Sequence, residues 1–231
     1  MPRVWTIAHI VRMALACARG SAAFIKRPTM APSTQRLLKA FAAIDAANSL
    51  DPKTAMVDGV SRPANLVYGL RMSTELERFA PDASEELQIA ARGQHIERWI
   101  IPRGQYPMDR QGYHRWRRAL QDHHAQRLSA ILADLAYDQA AIARVASIVR
   151  KERPKEDVEV QTLEDVVCIV FVKYELETFA RRYADDDTRL ADILAKTWRK
   201  MSERGHQAML SIPPAPSVLS LLNKGLERIS P

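Results

Sequence analysis

The chain has 231 residues, 47% of them hydrophobic, which is enough to bury a sizeable core in one large domain or two small ones. Its net charge of +7 comes entirely from residues 1–44, which hold seven basic residues and no acidic one, while the remaining chain carries 27 of each. A neutral globular part argues against a nucleic-acid-binding protein, and no apolar run reaches the length of a membrane span. Two cysteines, Cys17 and Cys168, exclude a disulfide framework.

Residues 1–32 are predicted to be a basic N-terminal extension that is loosely ordered. Residues 4–25 are apolar, contain arginines and lack acidic residues, a composition also typical of an organellar presequence. The cysteine usage favours a reducing compartment, so we expect a cytoplasmic protein. An organellar location is the alternative if residues 1–30 act as a presequence.

Apolar residues at helical spacing predict one all-α, bundle-like domain over residues 33–212. Capping residues and prolines delimit its predicted helices, which cover 33–46, 63–79, 84–101, 113–135, 138–152, a stretch from 162 onward, and 187–205. Thr162 to Asp165 has the pattern of a capping box, and the helix it opens is apolar all round, so it should be central. Asp58-Gly59 marks a turn in a loop. A peripheral helix is predicted at 217–229, within a C-terminal region 213–231.

Residues 90–120 concentrate aromatic side chains, arginines and two histidines. On a helix over 84–101, Arg92, His95 and Arg98 would lie on one face. Two guanidinium groups beside an imidazole suit an anionic or phosphate ligand. The alternative is a core histidine whose polar tip is satisfied, with the arginines reaching water.

Three ionisable residues are predicted to face the interior: His95, His124 and Asp165. Buried charge is costly unless it is paired or bound to a metal, and two imidazoles with a carboxylate are a reasonable ligand set for a divalent transition metal. Glu164 could be a further ligand or a base for a metal-bound water. The alternatives are that His124 donates to a backbone carbonyl and that Asp165 caps its helix.

Several short motifs occur together between Gln35 and Ile212. They include Gln94-His95-Ile96, Arg98-Trp99, Pro102-Arg103, Tyr106-Pro107, Gly112-Tyr113, Trp116-Arg117, His124-Ala125, Leu163-Glu-Asp165 and Lys196-Thr-Trp-Arg-Lys-Met-Ser202. With them the chain resembles a widespread, uncharacterised family of helical proteins, some of which carry a glutamyl-tRNA synthetase label. It is more distantly similar to the histidine–aspartate (HD) superfamily of metal-dependent phosphohydrolases. Ala125 departs from that pattern, because it stands where an Asp should follow the second histidine.

The resemblance implies an HD-like helical fold and a metal-dependent hydrolase acting on a small phosphorylated or nucleotide-like molecule. In this hypothesis His95, His124 and Asp165 hold a divalent metal, and Glu164 and Asp165 act in catalysis. Phosphate would be bound by Arg98, Arg103, Arg110 and Arg117. The alternative is a non-catalytic helical module that binds a small molecule or a protein and has lost the metal. Neither nucleic acid nor membrane is expected as a partner, and the sequence does not give the metal, the substrate or the oligomeric state.

Overall fold

The computed structural model describes residues 32–181 and 187–212, and within them the chain forms nine α-helices and a two-stranded hairpin. The helices are α1 Pro32–Asn48, α2 Ala64–Phe79, α3 Glu85–Arg92, α4 Arg110–Asp134, α5 Gln139–Arg150, α6 Val158–Val170, α7 Leu176–Arg181, α8 Asp187–Lys200 and α9 Glu203–Leu210. The prediction of a mostly helical fold is confirmed. The predicted extension 1–32 and the predicted C-terminal region 213–231 lie outside the described residues, apart from Pro32 at the start of α1.

Side-chain caps set where four of the helices begin, in addition to α6, whose cap is described below. Each capping oxygen accepts a hydrogen bond from a backbone N–H in the first turn, which satisfies a donor that the helix itself leaves unpaired. The capping residues are Ser84 for α3, Asp109 for α4, Asp138 for α5 and Ser202 for α9. Such a cap typically stabilises a protein by about 1 kcal/mol.

A short β-hairpin replaces the loop that we predicted after Asp51-Pro52. Strand β1 (Thr54–Val57) pairs antiparallel with β2 (Val60–Pro63), and Asp58 and Gly59 form the two-residue turn with φ of 51° and 77°. A two-residue hairpin turn with positive φ at both positions is the type that Asp-Gly favours. The strictly all-α prediction was therefore wrong at this place.

Helix α6 lies in the centre of the core. Val160, Leu163, Val166 and Val170 are all fully buried. The helix contacts α2, α3 and α5 along its length, and α8 and α9 pack on it as well. This confirms the prediction from its uniformly apolar sequence that the helix is surrounded by its neighbours.

The predicted helix over 84–101 is wrong beyond residue 92. Helix α3 ends at Arg92, a turn occupies 93–97, and a short 3₁₀ helix follows at Arg98–Ile100. The chain passes so close to α4 at Gly93 that a Cβ there would lie 2.5 Å from Leu128 Cδ2. Arg92, His95 and Arg98 therefore do not share a helical face.

Two further predicted helix boundaries are corrected. Helix α6 begins at Val158, because Asp157 caps it by accepting from the N–H groups of Glu159 and Val160, and Thr162 lies inside the helix with its hydroxyl donating to Val158 O. The predicted helix 187–205 is divided at Met201-Ser202 into α8 and α9. No helix in the described parts of the chain is long and apolar enough to cross a membrane.

Candidate functional site

Two histidines that are distant in sequence lie side by side in the interior, with ring centroids 6.1 Å apart. His124 is on α4 and 3% exposed, and its Nδ1 lies 2.7 Å from the carbonyl oxygen of Ile96. A carbonyl only accepts, so Nδ1 carries the proton and Nε2 holds a free lone pair. Within the described residues Nε2 is buried without a hydrogen-bond partner. Burial lowers the pKa of His124 to about 3, so the ring is neutral.

His95 is held between a tyrosine and an arginine. Its ring stacks on Tyr68 of α2 with centroids 4.0 Å apart and planes inclined by 18°, and its Nε2 lies 3.0 Å from Nη1 of Arg98. A guanidinium can only donate, so this nitrogen is also an unprotonated acceptor. Burial, and then the charge of Arg98, place the pKa of His95 well below its ordinary value. His95 is deep in the fold yet half-buried by surface area, which is typical of a side chain that lines a cleft.

The turn that presents His95 and Arg98 is fixed on both sides. Glu97 has a left-handed backbone with φ of 52°, which is unusual for a residue with a side chain. Its backbone N–H donates to Asn48 Oδ1 at the end of α1, and its carboxylate accepts from Arg127 Nε at 2.9 Å. Outliers of this kind persist only when the surrounding structure enforces them, and they occur frequently at functional sites.

Arg98 and Arg117 are neighbouring positive charges, and neither forms an ion pair within the described residues. Burial, and then the nearby charge of Arg117, lower the pKa of Arg98. Neither guanidinium has a carboxylate oxygen within 4 Å among the described residues. Arg98 instead lies over the indole ring of Trp116, 4.9 Å from its centroid. Two half-buried arginines that lack carboxylate partners are an arrangement that favours an anion.

The other two predicted phosphate-binding arginines do not join this pair. Arg103 donates to the carbonyl oxygens of Tyr106 at 2.9 Å and Asp109 at 3.4 Å, so it holds the loop before α4. Arg110 is exposed at the first position of α4, and no contact joins it to Arg98 or Arg117 within residues 32–181 and 187–212.

Asp165 forms hydrogen bonds that join two helices. Its carboxylate accepts from the backbone N–H and the hydroxyl of Ser202, at 2.8 and 2.6 Å, and from Gln161 Nε2 at 3.1 Å. Since Ser202 caps α9, Asp165 fastens the start of α9 to α6. The described residues contain no group of three or more His, Cys, Asp or Glu side chains arranged to hold a metal ion. The predicted set of His95, His124 and Asp165 is therefore not assembled in this structure.

Glu164 is engaged in a buried ion pair. One carboxylate oxygen contacts Lys151 Nζ, at the end of α5, and the other is 3.8 Å from Lys200 Nζ. Burial alone would raise the pKa of Glu164, but the two lysines hold it below its ordinary value. A carboxylate stabilised in its charged form in this way is a weak proton acceptor.

Comparison with known protein families decides which family the chain represents. Residues 38–222 match the model of a family described as a domain of unknown function, DUF4202. The chain belongs to the DUF4202 family. The match covers most of the range in which we found the family resemblance. No curated protein and no solved structure matches the chain, so the likeness to the HD phosphohydrolases stays a prediction.

Three residues of this DUF4202 site were missed by the sequence reasoning. Tyr68 stacks on His95, Lys151 pairs with Glu164, and Glu175 lies in a π-helical turn (Phe171–Glu175) between α6 and α7. Burial raises the pKa of Glu175 even though Arg71 and Arg98 act against it. Tyr68 and Lys151 stand in ordinary helical patterns, and a π-helical turn has no sequence signal, although such turns are frequent at functional sites.

An open groove in this DUF4202 domain lies elsewhere, between α4 and α5. It has a volume of about 540 Å³ and is lined largely by small side chains, including Ala130, Ala133 and Ala143. It contains none of the histidines and neither member of the arginine pair. Because chemistry requires convergent polar groups, we take the cluster around His95, Arg98, Arg117 and His124 as the candidate site.

Proposed function

We propose that this DUF4202 protein binds a small phosphorylated or nucleotide-like molecule through Arg98 and Arg117, next to the His95–His124 pair. One observation carries the proposal: two neighbouring, half-buried guanidinium groups have no carboxylate within 4 Å in the described chain. Half-buried positive charges without partners destabilise a protein, so a site of this kind is costly unless a ligand neutralises it.

The chemistry of the surrounding groups fits a phosphate better than a cation. Arg98, Arg117 and Lys151 contribute positive charge, and in the part of the chain that the structure describes Lys151 contacts one carboxylate, that of Glu164. Both imidazoles are neutral and add no positive charge, so the donors available to an anion are those of the arginines, and Arg98 keeps N–H donors beyond the one directed at His95. A phosphate dianion would relieve the repulsion between the arginines and accept bidentate hydrogen bonds from them.

Hydrolysis of the bound molecule is the second candidate function, and His124 is the observation that favours it. Its Nε2 is unprotonated and buried, and among the described residues it has no hydrogen-bond partner, so its lone pair is free to take a proton from a water. A phosphate bound nearby would raise the low pKa of this imidazole and make it a better base. The metal-dependent form of the reaction requires ligands beyond the two histidines, and the described residues hold no complete ligand set in position.

The test is a titration of the full chain with phosphorylated probes in buffer that contains EDTA. The probes are inorganic phosphate, pyrophosphate, ribose 5-phosphate and ATP, with affinity measured by calorimetry. We expect binding of at least one probe and an affinity about tenfold or more lower in Arg98→Gln and in Arg117→Gln, because each loses hydrogen bonds to a charged group. Free phosphate released from pyrophosphate, ribose 5-phosphate and ATP, measured in the EDTA buffer and separately in EDTA-free buffer with Mn²⁺, tests hydrolysis.

Arg118→Gln is the matched control, since Arg118 adjoins Arg117 on α4 but is exposed and makes no contact among the described residues. It should bind the probes as the unmodified chain does. Absence of binding to every probe, or equal losses in Arg117→Gln and Arg118→Gln, would contradict the proposal, because the second result indicates a diffuse positive surface.

A further inference from the structure

A column of planar side chains leads from the core of the molecule to its surface. Tyr68, 7% exposed, stacks on His95, whose Nε2 accepts from Arg98. Arg98 in turn lies over Trp116, and the Trp116 ring is 5.9 Å from that of Tyr113. Tyr113 ends the column and is 43% exposed. The arginine that we assign to phosphate binding is therefore in contact with an aromatic surface that opens to solvent.

This aromatic surface, formed by Trp116 and Tyr113, is held in place by its surroundings. The indole N–H of Trp116 donates to the carbonyl oxygen of Ile101 at 2.9 Å, which fixes the plane of the ring. The guanidinium of Arg103 lies 5.9 Å from the Trp116 centroid and 6.0 Å from the Tyr113 centroid, and two loop carbonyls hold it there. Ordered aromatic rings lose little entropy when a flat ligand stacks on them, so stacking here is favourable.

We infer that the ligand is a nucleotide, with its phosphate on Arg98 and Arg117 and its base stacked on the exposed face of Tyr113 beside Trp116. The inference rests on the proposed function and adds the class of ligand. Tyr113 is an electrostatic neighbour of Arg98, and Arg98 touches Trp116, so one small molecule can reach both parts. A sugar phosphate without a base would leave the aromatic surface uncovered. Base stacking on an aromatic side chain is sequence-tolerant and raises affinity on the order of tenfold.

The experiment compares nucleotides with the same molecule without its base. AMP, GMP, CMP, UMP and ribose 5-phosphate are titrated into the full chain, and the ratio of affinities to that for ribose 5-phosphate is recorded. At least one nucleotide should bind about tenfold more tightly than ribose 5-phosphate. In Tyr113→Ala this ratio should fall close to one, and in Tyr113→Phe, which keeps the ring, it should be retained. Met108→Ala is the control, because Met108 is 80% exposed in the loop that precedes α4 and offers no ring.

The outcomes separate this inference from the proposal on which it rests. If ribose 5-phosphate binds but no nucleotide binds more tightly, or if Tyr113→Ala keeps the ratio, the nucleotide inference is overturned and the phosphate site stands. If neither ribose 5-phosphate nor any nucleotide binds, the nucleotide inference is overturned, and if inorganic phosphate and pyrophosphate do not bind either, both are overturned. Tighter binding of a single-stranded oligonucleotide than of every mononucleotide also overturns it, since the surface would then belong to a nucleic-acid site. Thermal unfolding of each variant shows that the fold is retained.

Discussion

His124 is a neutral imidazole in the interior because its surroundings exclude water and supply one acceptor, the carbonyl oxygen of Ile96. Burial lowers its pKa to about 3 in the folded chain, against 6.5 for an unperturbed histidine. Between these values the unfolded chain binds a proton that the folded chain does not. The contribution of His124 to the free energy of unfolding is therefore complete above pH 6.5. It decreases as the pH falls below 6.5, because protonation then favours the unfolded chain. His95 acts in the same direction, because its pKa is also lowered.

We predict that His124→Asn removes part of this pH dependence. Asparagine can still donate to Ile96 O but does not titrate. Between pH 7 and 5 the unmodified chain should lose about 2 kcal/mol more of its unfolding free energy than the variant does. Urea unfolding at both pH values measures this difference. Glu175 acts in the opposite direction, since its pKa is raised, but it is present in both proteins and cancels in the comparison.

The matched control is His114→Asn, because His114 is an exposed histidine on the same helix. It should lose as much stability on acidification as the unmodified chain. Equal losses in the unmodified chain and in His124→Asn would show that His124 accepts a proton without unfolding the protein.

For single residues, the sequence predicted which side chains are buried better than it predicted their hydrogen-bond partners. His124 and Asp165 were expected on apolar stripes, and both are buried, at 3% and 2% exposure. The structure has the alternative in which His124 donates to a backbone carbonyl. Asp165 does not cap its own helix, and its carboxylate accepts hydrogen bonds from Ser202 instead. Helical periodicity indicates which side of a helix faces inward, but Ser202 comes from a turn 37 residues away, which no local pattern identifies.

At the scale of elements, the contact between α6 and α9 depends on a glycine. A Cβ at Gly205 would lie 2.6 Å from Asp165 Oδ1 and 3.1 Å from Met201 Cε. Asp165 is buried and held by Ser202 through two hydrogen bonds, so it cannot move aside easily. In an open helix the change from glycine to alanine is stabilising by up to about 1 kcal/mol. Here we predict that Gly205→Ala lowers the free energy of unfolding by about 1–3 kcal/mol, because the site is overpacked.

Chemical denaturation measures this change, and Gly104→Ala is its control. Nothing lies within 4 Å of a Cβ built at Gly104, and its φ is not in the left-handed range. The control should change stability by less than about 0.5 kcal/mol. If Gly205→Ala were as stable as the unmodified chain or more so, the α6–α9 contact would be looser than the structure describes.

The prediction of helices failed where tertiary contacts override the local sequence pattern. The spacing of apolar residues and arginines predicted a continuous helix through Ile101, but α3 ends at Arg92. The chain leaves the helix there because Gly93 packs against Leu128 of α4, and the carbonyl of Ile96 is then free to accept from His124. In the hairpin, by contrast, the turn at Asp58-Gly59 was predicted but the strands on either side were not. Each strand is only four residues long. Strands that short have little alternation from which to be predicted.

At the scale of the whole molecule, the candidate site is a polar centre inside a helical fold. Residues from six places along the chain meet there: Tyr68 on α2, the turn after α3, α4, the end of α5 with Lys151, Glu164 on α6, and Glu175 in the π-helical turn. The sequence could predict most of these helices, because each carries its own caps and apolar stripe. It could not predict which helix ends converge, since that depends on how the helices pack around α6. Membership of the DUF4202 family, a domain of unknown function, assigns no reaction to the protein.

The most direct test of the central claim is a crystal structure of the protein with bound ribose 5-phosphate. The account predicts phosphate oxygens within about 3 Å of guanidinium nitrogens of both Arg98 and Arg117, with the His95 and His124 rings beside them. A phosphate bound instead at exposed arginines such as Arg115 or Arg118, with the Arg98–Arg117 pair in contact with no anion, would contradict it.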